Sequence, residues 1–378
     1  MARPPSSTKT SVAVPFVDLR PSLRELKDAI LDDIAGLLDS AEFHYGSAVS
    51  EFETRFAAYC GTAHCVGTSN GLDGLRLTLL AAGIEEGAEV IIPANTFVAT
   101  FAAIHQAGGI PVPVDASESD YEIDPALVES ALTERTRFIV PVHLYGQMAD
   151  MGAMAGLASK HGFDVIEDAC QAHGAERNGY HAGSSGRAAA FSFYPSKNLG
   201  AAGDAGAVTT DEAELASRLR ALRHHGEFEK YRHELEGYTA RLDTIQAIVL
   251  LRKLPHLDRW TEQRRTAARF YFEALDGVGD LRLPPVPPGS DPVWHLYVVR
   301  TRDPEGLAAH LASRGIGSGR HYPQPPHLSA AFSWLGYERG DFPVAEALAR
   351  EGLSLPLFPG ITGEQLEAVH AAIVQHFG

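Results

Sequence analysis

The chain has 378 residues, 45% of them apolar and 21% charged, and carries a formal net charge of −16. This is the profile of a soluble globular protein with room for one large domain and a smaller one. Acidic residues are spread along the chain with no basic stripe, which excludes a nucleic-acid partner.

Met1 to Thr10 is polar and proline-bearing, without the apolar run of a secretion signal, and no stretch of the chain is long enough to span a bilayer. Leu23, Leu26, Ile30, Ile34 and Leu38 predict one amphipathic helix over Pro21 to Leu38. Phe52, Phe56 and Tyr59 mark a second. A regular alternation then begins. Strands are predicted at Glu89 to Pro93, Ile110 to Val114, Arg137 to Val142 and Asp164 to Glu167. Helices are predicted at Thr96 to Gln106, Pro125 to Leu132 and Met151 to His161. Strands apolar throughout and separated by helices argue for a mostly parallel sheet covered on both faces. Ala188 to Tyr194 and Ala207 to Thr210 read as further strands. Helices are expected at Ala213 to Arg223, Leu242 to Leu254 and Leu257 to Leu275. The stiff run Pro284-Pro285-Val286-Pro287-Pro288-Gly289 follows. From Val293 the pattern is strand, helix (Pro304 to Arg314), strand, proline-rich loop and two helices. The expected division is a large α/β domain over 1–255 and a smaller C-terminal α+β domain over 256–378. Cys60, Cys65 and Cys170 form neither a disulfide framework nor a zinc set. They fit a reducing, cytoplasmic compartment, and no metal is expected.

Four short segments carry candidate chemistry. Lys197 follows the apolar, aromatic run Phe191-Ser192-Phe193-Tyr194-Pro195-Ser196. A desolvated amine there is a Schiff-base nucleophile, although a lysine in such a place also reads as a solvated surface charge. Asp168 ends the strand Asp164-Val165-Ile166-Glu167, where sheets of this kind bind ligands. It reads either as a helix N-cap or as the counter-charge of a heteroaromatic N–H. Gly67-Thr68-Ser69-Asn70-Gly71-Leu72-Asp73-Gly74 is a glycine-bearing turn that feeds a helix and offers free amides to an anion. Phe97 follows a strand end and suits either ring stacking or core packing. An amine, an acid, an anion-binding helix start and a stacking aromatic are together what pyridoxal 5′-phosphate needs.

These segments resemble those of the DegT/StrS-type sugar aminotransferases, pyridoxal-phosphate enzymes of fold type I. The likeness runs from Val14-Pro15-Phe16-Val17-Asp18-Leu19 through Pro141-Val142-His143-Leu144-Tyr145-Gly146 to His321-Tyr322-Pro323 and Leu353-Ser354-Leu355-Pro356. Its most specific parts are Glu167-Asp168-Ala169-Cys170-Gln171-Ala172-His173-Gly174 and the run from Phe191 to Gly206. The resemblance implies that Lys197 bonds the cofactor aldehyde, that Asp168 pairs with the pyridine nitrogen and that Gln171 sits near the ring 3-hydroxyl. It puts Phe97 over one ring face. Gly71, Leu72 and Asp73 then lie in the phosphate turn, with Ser192 adding its hydroxyl. In the family a neighbouring subunit reaches the phosphate through an asparagine in a Gly-Tyr-Asn-Ser-Arg stretch. Here Gly237-Tyr238-Thr239-Ala240-Arg241 places Thr239 at that position, a shorter donor. A homodimer with shared sites is therefore implied. Tyr194, His321 and Tyr322 are candidate substrate contacts, with packing or loop bracing as the competing reading. His143 and His173 are expected behind the site.

The implied reaction moves an amino group from L-glutamate to a nucleotide-linked, dTDP-type keto-6-deoxyhexose. Gly203-Asp204-Ala205-Gly206 resembles the members that aminate C3, whereas C4-directed members tend to carry Gly-Glu-Gly-Gly. A C4-directed aminotransferase and a non-catalytic, cofactor-binding regulatory homologue are the alternatives. The related sugar dehydratases carry histidine at the lysine position, and Lys197 counts against them. Ser69 to Gly74 does not form a dinucleotide fingerprint.

Overall fold

The computed structural model describes residues 13–378, so the reading of Met1 to Thr10 lies outside the described residues. Seven strands join into one sheet in the spatial order His64–Thr68, Gly206–Thr210, Ala188–Ser192, Asp164–Asp168, Thr136–Ile139, Glu89–Pro93, Ile110–Val114. Only Gly206–Thr210 runs against the others, pairing antiparallel with both of its neighbours. The remaining pairings are parallel. The α/β class expected from the alternation is borne out.

Apolar residues on successive strand positions serve opposite faces, as the pleat requires. Ile91, Ile139, Val165, Ala189 and Phe191 enter one core with Phe52, Phe56 and the helix Met151–His161. Val90, Ile92, Phe138, Val140, Ile166 and Val208 enter the other, under the helices Gly71–Ala81, Val98–Gln106 and Ala213–Leu222. With both faces dry, ligand access is left to the sheet's ends.

The edge strand His64–Thr68 was not expected. It is short and glycine-bearing, and its pairing with Gly206–Thr210 is long-range. The single helix predicted over Pro21 to Leu38 is instead two, Arg20–Arg24 and Lys27–Ser40. The break lets Leu26 and Ile30 pack on Val249 and Trp260. It also moves the buried stripe, so that Leu37 is covered while Leu23 and Leu38 face solvent. The helix expected from Thr96 begins at Val98, with Phe97 as its N-cap.

A third apolar cluster joins Tyr271, on the helix Leu257–Leu275, to Tyr297, Leu307, Leu353 and Ile373. Tyr297–Arg300 and Gly352–Leu355 pair antiparallel beneath it. The N-terminal segment joins this cluster, because Val14 is buried in it and bridges to Ile316. No helix of the described residues is long and apolar enough to cross a membrane.

Candidate active site

Ala188–Ser192 and Gly206–Thr210 are antiparallel neighbours, so the segment between them leaves the sheet at a carboxyl end and returns beside itself. Phe193 N–H donates to Ala205 O (2.8 Å), Ala201 N–H to Phe193 O (2.7 Å) and Lys197 N–H to Tyr194 O (2.8 Å). A Cβ on Gly200 would stand 2.2 Å from Pro195 O, and one on Gly206 2.4 Å from the carbonyl carbon of Asn70. The glycine run is thus a packing requirement of the lysine loop. Asn198 Nδ2 donates to Val293 O (2.8 Å), tying the loop to the C-terminal part of the chain. Lys197 is half-buried and lines a cavity of about 630 Å³. Desolvation lowers its ammonium below the usual lysine range, opposed by Cys170 and Asp168.

Asp168 lines the same cavity from the end of the neighbouring strand. Its backbone is fixed on both sides: Asp168 N–H donates to Pro141 O (2.9 Å) and His143 N–H to Asp168 O (3.0 Å). Its carboxylate accepts from Thr100 Oγ1 (2.8 Å) and from Cys170 N–H (3.2 Å). No helix follows Asp168, so the helix-cap reading falls away and the carboxylate faces the cavity. Gln171 also lines it, with Oε1 accepting from Tyr145 N–H (2.8 Å) and Nε2 donating to Tyr322 Oη (3.2 Å). Behind the strand, Glu167 accepts from Gly183, Ser185 and Gly186 N–H and meets His143 Nε2 at 2.9 Å. His143 Nδ1 accepts from Ala149 N–H, so Nε2 carries the ring proton. Both side chains are fully buried and do not line the cavity. His173 also lies outside it, packed against Phe191 and Phe193.

The glycine turn ends in a capped helix. Asn70 Oδ1 accepts from Asp73 N–H (2.8 Å) and Asn70 O from Gly74 N–H (3.0 Å), while Gly71 and Leu72 line the cavity. Ser192 approaches so closely that a Cβ on Gly71 would lie 2.8 Å from its Cβ and 2.6 Å from Cys170 Sγ. Asp73 is not part of the lining. Its carboxylate takes Ser69, Asn70 Nδ2 and Arg76, bracing the turn from outside. Phe97 and Tyr322 sit ring to ring at 4.9 Å, and Phe97 remains 46% exposed into the opening. His321 stacks on Phe16 (5.5 Å) and meets Ser354 Oγ through Nδ1 (2.7 Å). Tyr194 is exposed at the rim. Thr239, like Asp73, is an expected site residue that does not line this cavity, although the next carbonyl, Ala240 O, accepts from Ser69 N–H (3.1 Å) beside the glycine turn. Thr239 bridges to His224 and lies 3.4 Å from His225 Nδ1.

Several lining residues escaped the sequence reading. Thr96 and Thr100 form a buried hydroxyl pair (2.8 Å) behind Asp168. Tyr145, just behind the lining, bonds Gln171 through its amide and the His321 carbonyl through its hydroxyl, joining two distant parts of the chain. Arg264 and His295 also line the cavity. A signal for Arg264 was present, because it occupies a position on the buried stripe Leu257, Trp260, Thr261, Arg264, Ala268, Tyr271. His295 carried none. The set fits a phosphorylated pyridine aldehyde: an amine and a carboxylate share a cavity with an aromatic ring, and two first-turn helix amides face a serine.

The DegT/DnrJ/EryC1/StrS aminotransferase family model matches residues 24–374. The erythromycin biosynthesis sensory transduction protein EryC1 of Saccharopolyspora erythraea is 46% identical over 95% of this chain and 98% of its own. The dTDP-3-amino-3,4,6-trideoxy-alpha-D-glucose transaminase of Streptomyces venezuelae is 46% identical over 97% of each chain. The crystal structure of S. venezuelae DesV in complex with a ketimine intermediate superposes with a TM-score of 0.94 at 46% identity, covering 96% of this chain and 98% of that one.

Proposed function

This chain belongs to the DegT/DnrJ/EryC1/StrS aminotransferase family, and from that premise we propose that it transfers an amino group to C3 of a keto-6-deoxyhexose carried on dTDP. L-Glutamate is the donor in this reading. The observation that carries it is the pairing of Lys197 and Asp168 across one cavity, with Phe97 at its mouth. The S. venezuelae relative, a C3 transaminase by its name, supports the position of amination.

Pyridoxal 5′-phosphate, when bound, supplies an aldehyde that captures the donor's amine and a ring that takes up the electron pair left as the Cα–H bond breaks. The residues do the rest. Lys197 Nζ, its basicity reduced by burial, is deprotonated more readily than a surface lysine and moves the proton from the donor's Cα. Asp168, held by Thr100 and Cys170, would pair with the ring nitrogen of the bound cofactor and keep its proton in place. Gly71, Leu72 and Ser192 hold the phosphate, Asp73 stiffens that turn, Phe97 covers the ring and Gln171 meets the 3-hydroxyl. Tyr194, His321 and Tyr322 contact the sugar substrate.

Thr239 is assigned to the phosphate of a second copy's site, in a homodimer with shared sites. Its absence from the lining of its own cavity supports this, as do the exposed aromatics Tyr45, Phe228 and Tyr231, of which Tyr45 packs on His224. The three free cysteines suit a reducing, cytoplasmic compartment. The name of the Saccharopolyspora relative favours a regulatory homologue as a second reading. Such a protein has no need of both the amine and the acid. Initial velocities against glutamate and dTDP-keto-sugar test the catalytic reading. Parallel double-reciprocal lines are expected, since both substrates use one site in turn, and absence of amine transfer to any keto-sugar overturns it.

A further inference from the structure

Arg264 is 4% exposed, lines the cavity and has no carboxylate partner among the described residues. Its Nη1 donates to three carbonyl oxygens, Trp294 O (3.1 Å), His295 O (3.4 Å) and Leu357 O (3.1 Å). The opposite edge of the guanidinium is unused. Nε is buried without a partner, and Nη2 makes no hydrogen bond among the described residues. That edge carries two parallel N–H donors, the fork that grips a carboxylate. His295, 8% exposed, lines the same cavity, with its Nδ1 also unpartnered.

A buried guanidinium without a counter-charge is costly unless an anion arrives to pair with it. We infer that the Nε–Nη2 edge of Arg264, with His295 lining the same cavity, is the binding site for a carboxylate of the amino donor. The inference rests on the aminotransferase reading, since it gives that reading's first substrate its anchor. Burial alone pushes the Arg264 guanidinium down to about 10, so it stays charged at neutral pH with no carboxylate of the described residues paired with it. Burial first, and then Lys197 and Arg264, hold His295 far below the usual histidine range. Desolvation and then Lys197 push His321 down to about 4. Both imidazoles are therefore neutral. Apart from Lys197, the part of the lining that this chain supplies then offers a single permanent positive charge. One charge with a planar fork matches a carboxylate, whereas the pyrophosphate of a nucleotide sugar carries two charges and would call for more cations.

Two arms of one experiment distinguish these anions. Glutarate, a dicarboxylate that cannot react, and dTDP are titrated by calorimetry into the cofactor-loaded wild type, Arg264→Gln and Arg264→Lys. In parallel, the donor half-reaction is followed by cofactor absorbance against L-glutamate. Glutarate is expected to bind the wild type and compete with glutamate. Arg264→Gln should weaken glutarate binding and raise the half-saturating glutamate concentration at least about 30-fold, with Arg264→Lys recovering part and dTDP binding unmoved. Unchanged glutamate dependence in Arg264→Gln overturns the inference, and so does a loss of dTDP binding in place of glutarate binding. If Arg264→Gln does not fold, because Nη1 also braces three carbonyls, the wild-type competition decides: failure of glutarate to compete overturns the site. A wild type that carries cofactor on Lys197 yet transfers no amine refutes the aminotransferase reading instead, while glutarate binding still reports on Arg264.

Discussion

Thr100 contributes a single hydroxyl to the site, yet it is the side-chain donor that holds Asp168 Oδ2. Replacing it with valine keeps the shape and leaves a buried carboxylate oxygen unsatisfied. A hydrogen bond to a charged group is worth about 1.5–3 kcal/mol, so Thr100→Val should weaken cofactor retention roughly 10- to 100-fold. Equilibrium dialysis against free cofactor reads this directly, and wild-type affinity in the variant would remove Thr100 from the account. His173 offers a prediction in pH. Burial first, then the charge of Lys197, pushes its ring down to about 3 from an ordinary 6.5. The unfolded chain therefore takes up the proton before the folded one does. The stability this histidine contributes is complete above pH 6.5 and is lost as pH falls toward 3, at up to about 1.4 kcal/mol per pH unit. Urea midpoints should fall over that window. A His173→Phe variant should lose part of the slope, and an identical slope would place the acid sensitivity elsewhere.

At the scale of elements, the lysine loop and the helix start at Asn70 are locked together through Gly206. A Cβ there meets the Asn70 backbone, which cannot yield as a flexible side chain would. Gly206→Ala should cost on the order of 1–3 kcal/mol in stability and displace the phosphate turn. Chemical denaturation with and without cofactor measures both effects, and a variant as stable as the wild type would show that the turn can move. The same coupling marks the limit of what the sequence reveals. Strands apolar throughout announced the parallel sheet. Lys197 and Asp168 stood out because each follows an apolar strand, and the Asn70 turn because its glycines feed a helix. Thr96 and Thr100 did not, since a helix was expected from Thr96 and a helical threonine looks like any other. The edge strand His64–Thr68 was hidden because its partner lies about 140 residues later. Arg264 and His295 reach the cavity, and Tyr145 reaches the lining residues Gln171 and His321, only through tertiary packing, although an arginine on an apolar helical stripe deserved suspicion.

For the molecule as a whole, the carboxyl ends of the sheet and their loops supply Lys197, Asp168 and the Asn70 turn, and the C-terminal part of the chain supplies His295, His321 and Tyr322 to the same cavity. Thr239 does not line it, and the proposed shared site assigns that hydroxyl to the phosphate of a second copy. Light scattering should return twice the chain mass, and a fully active monomer would contradict the shared site. The central claim is a covalent bond between Lys197 Nζ and the aldehyde of pyridoxal 5′-phosphate. Borohydride reduction of the cofactor-loaded protein, followed by proteolysis and mass spectrometry, tests it most directly. The account predicts the reduced cofactor on the peptide containing Lys197 and on no other. An unmodified Lys197, or the label on a different lysine, would contradict it.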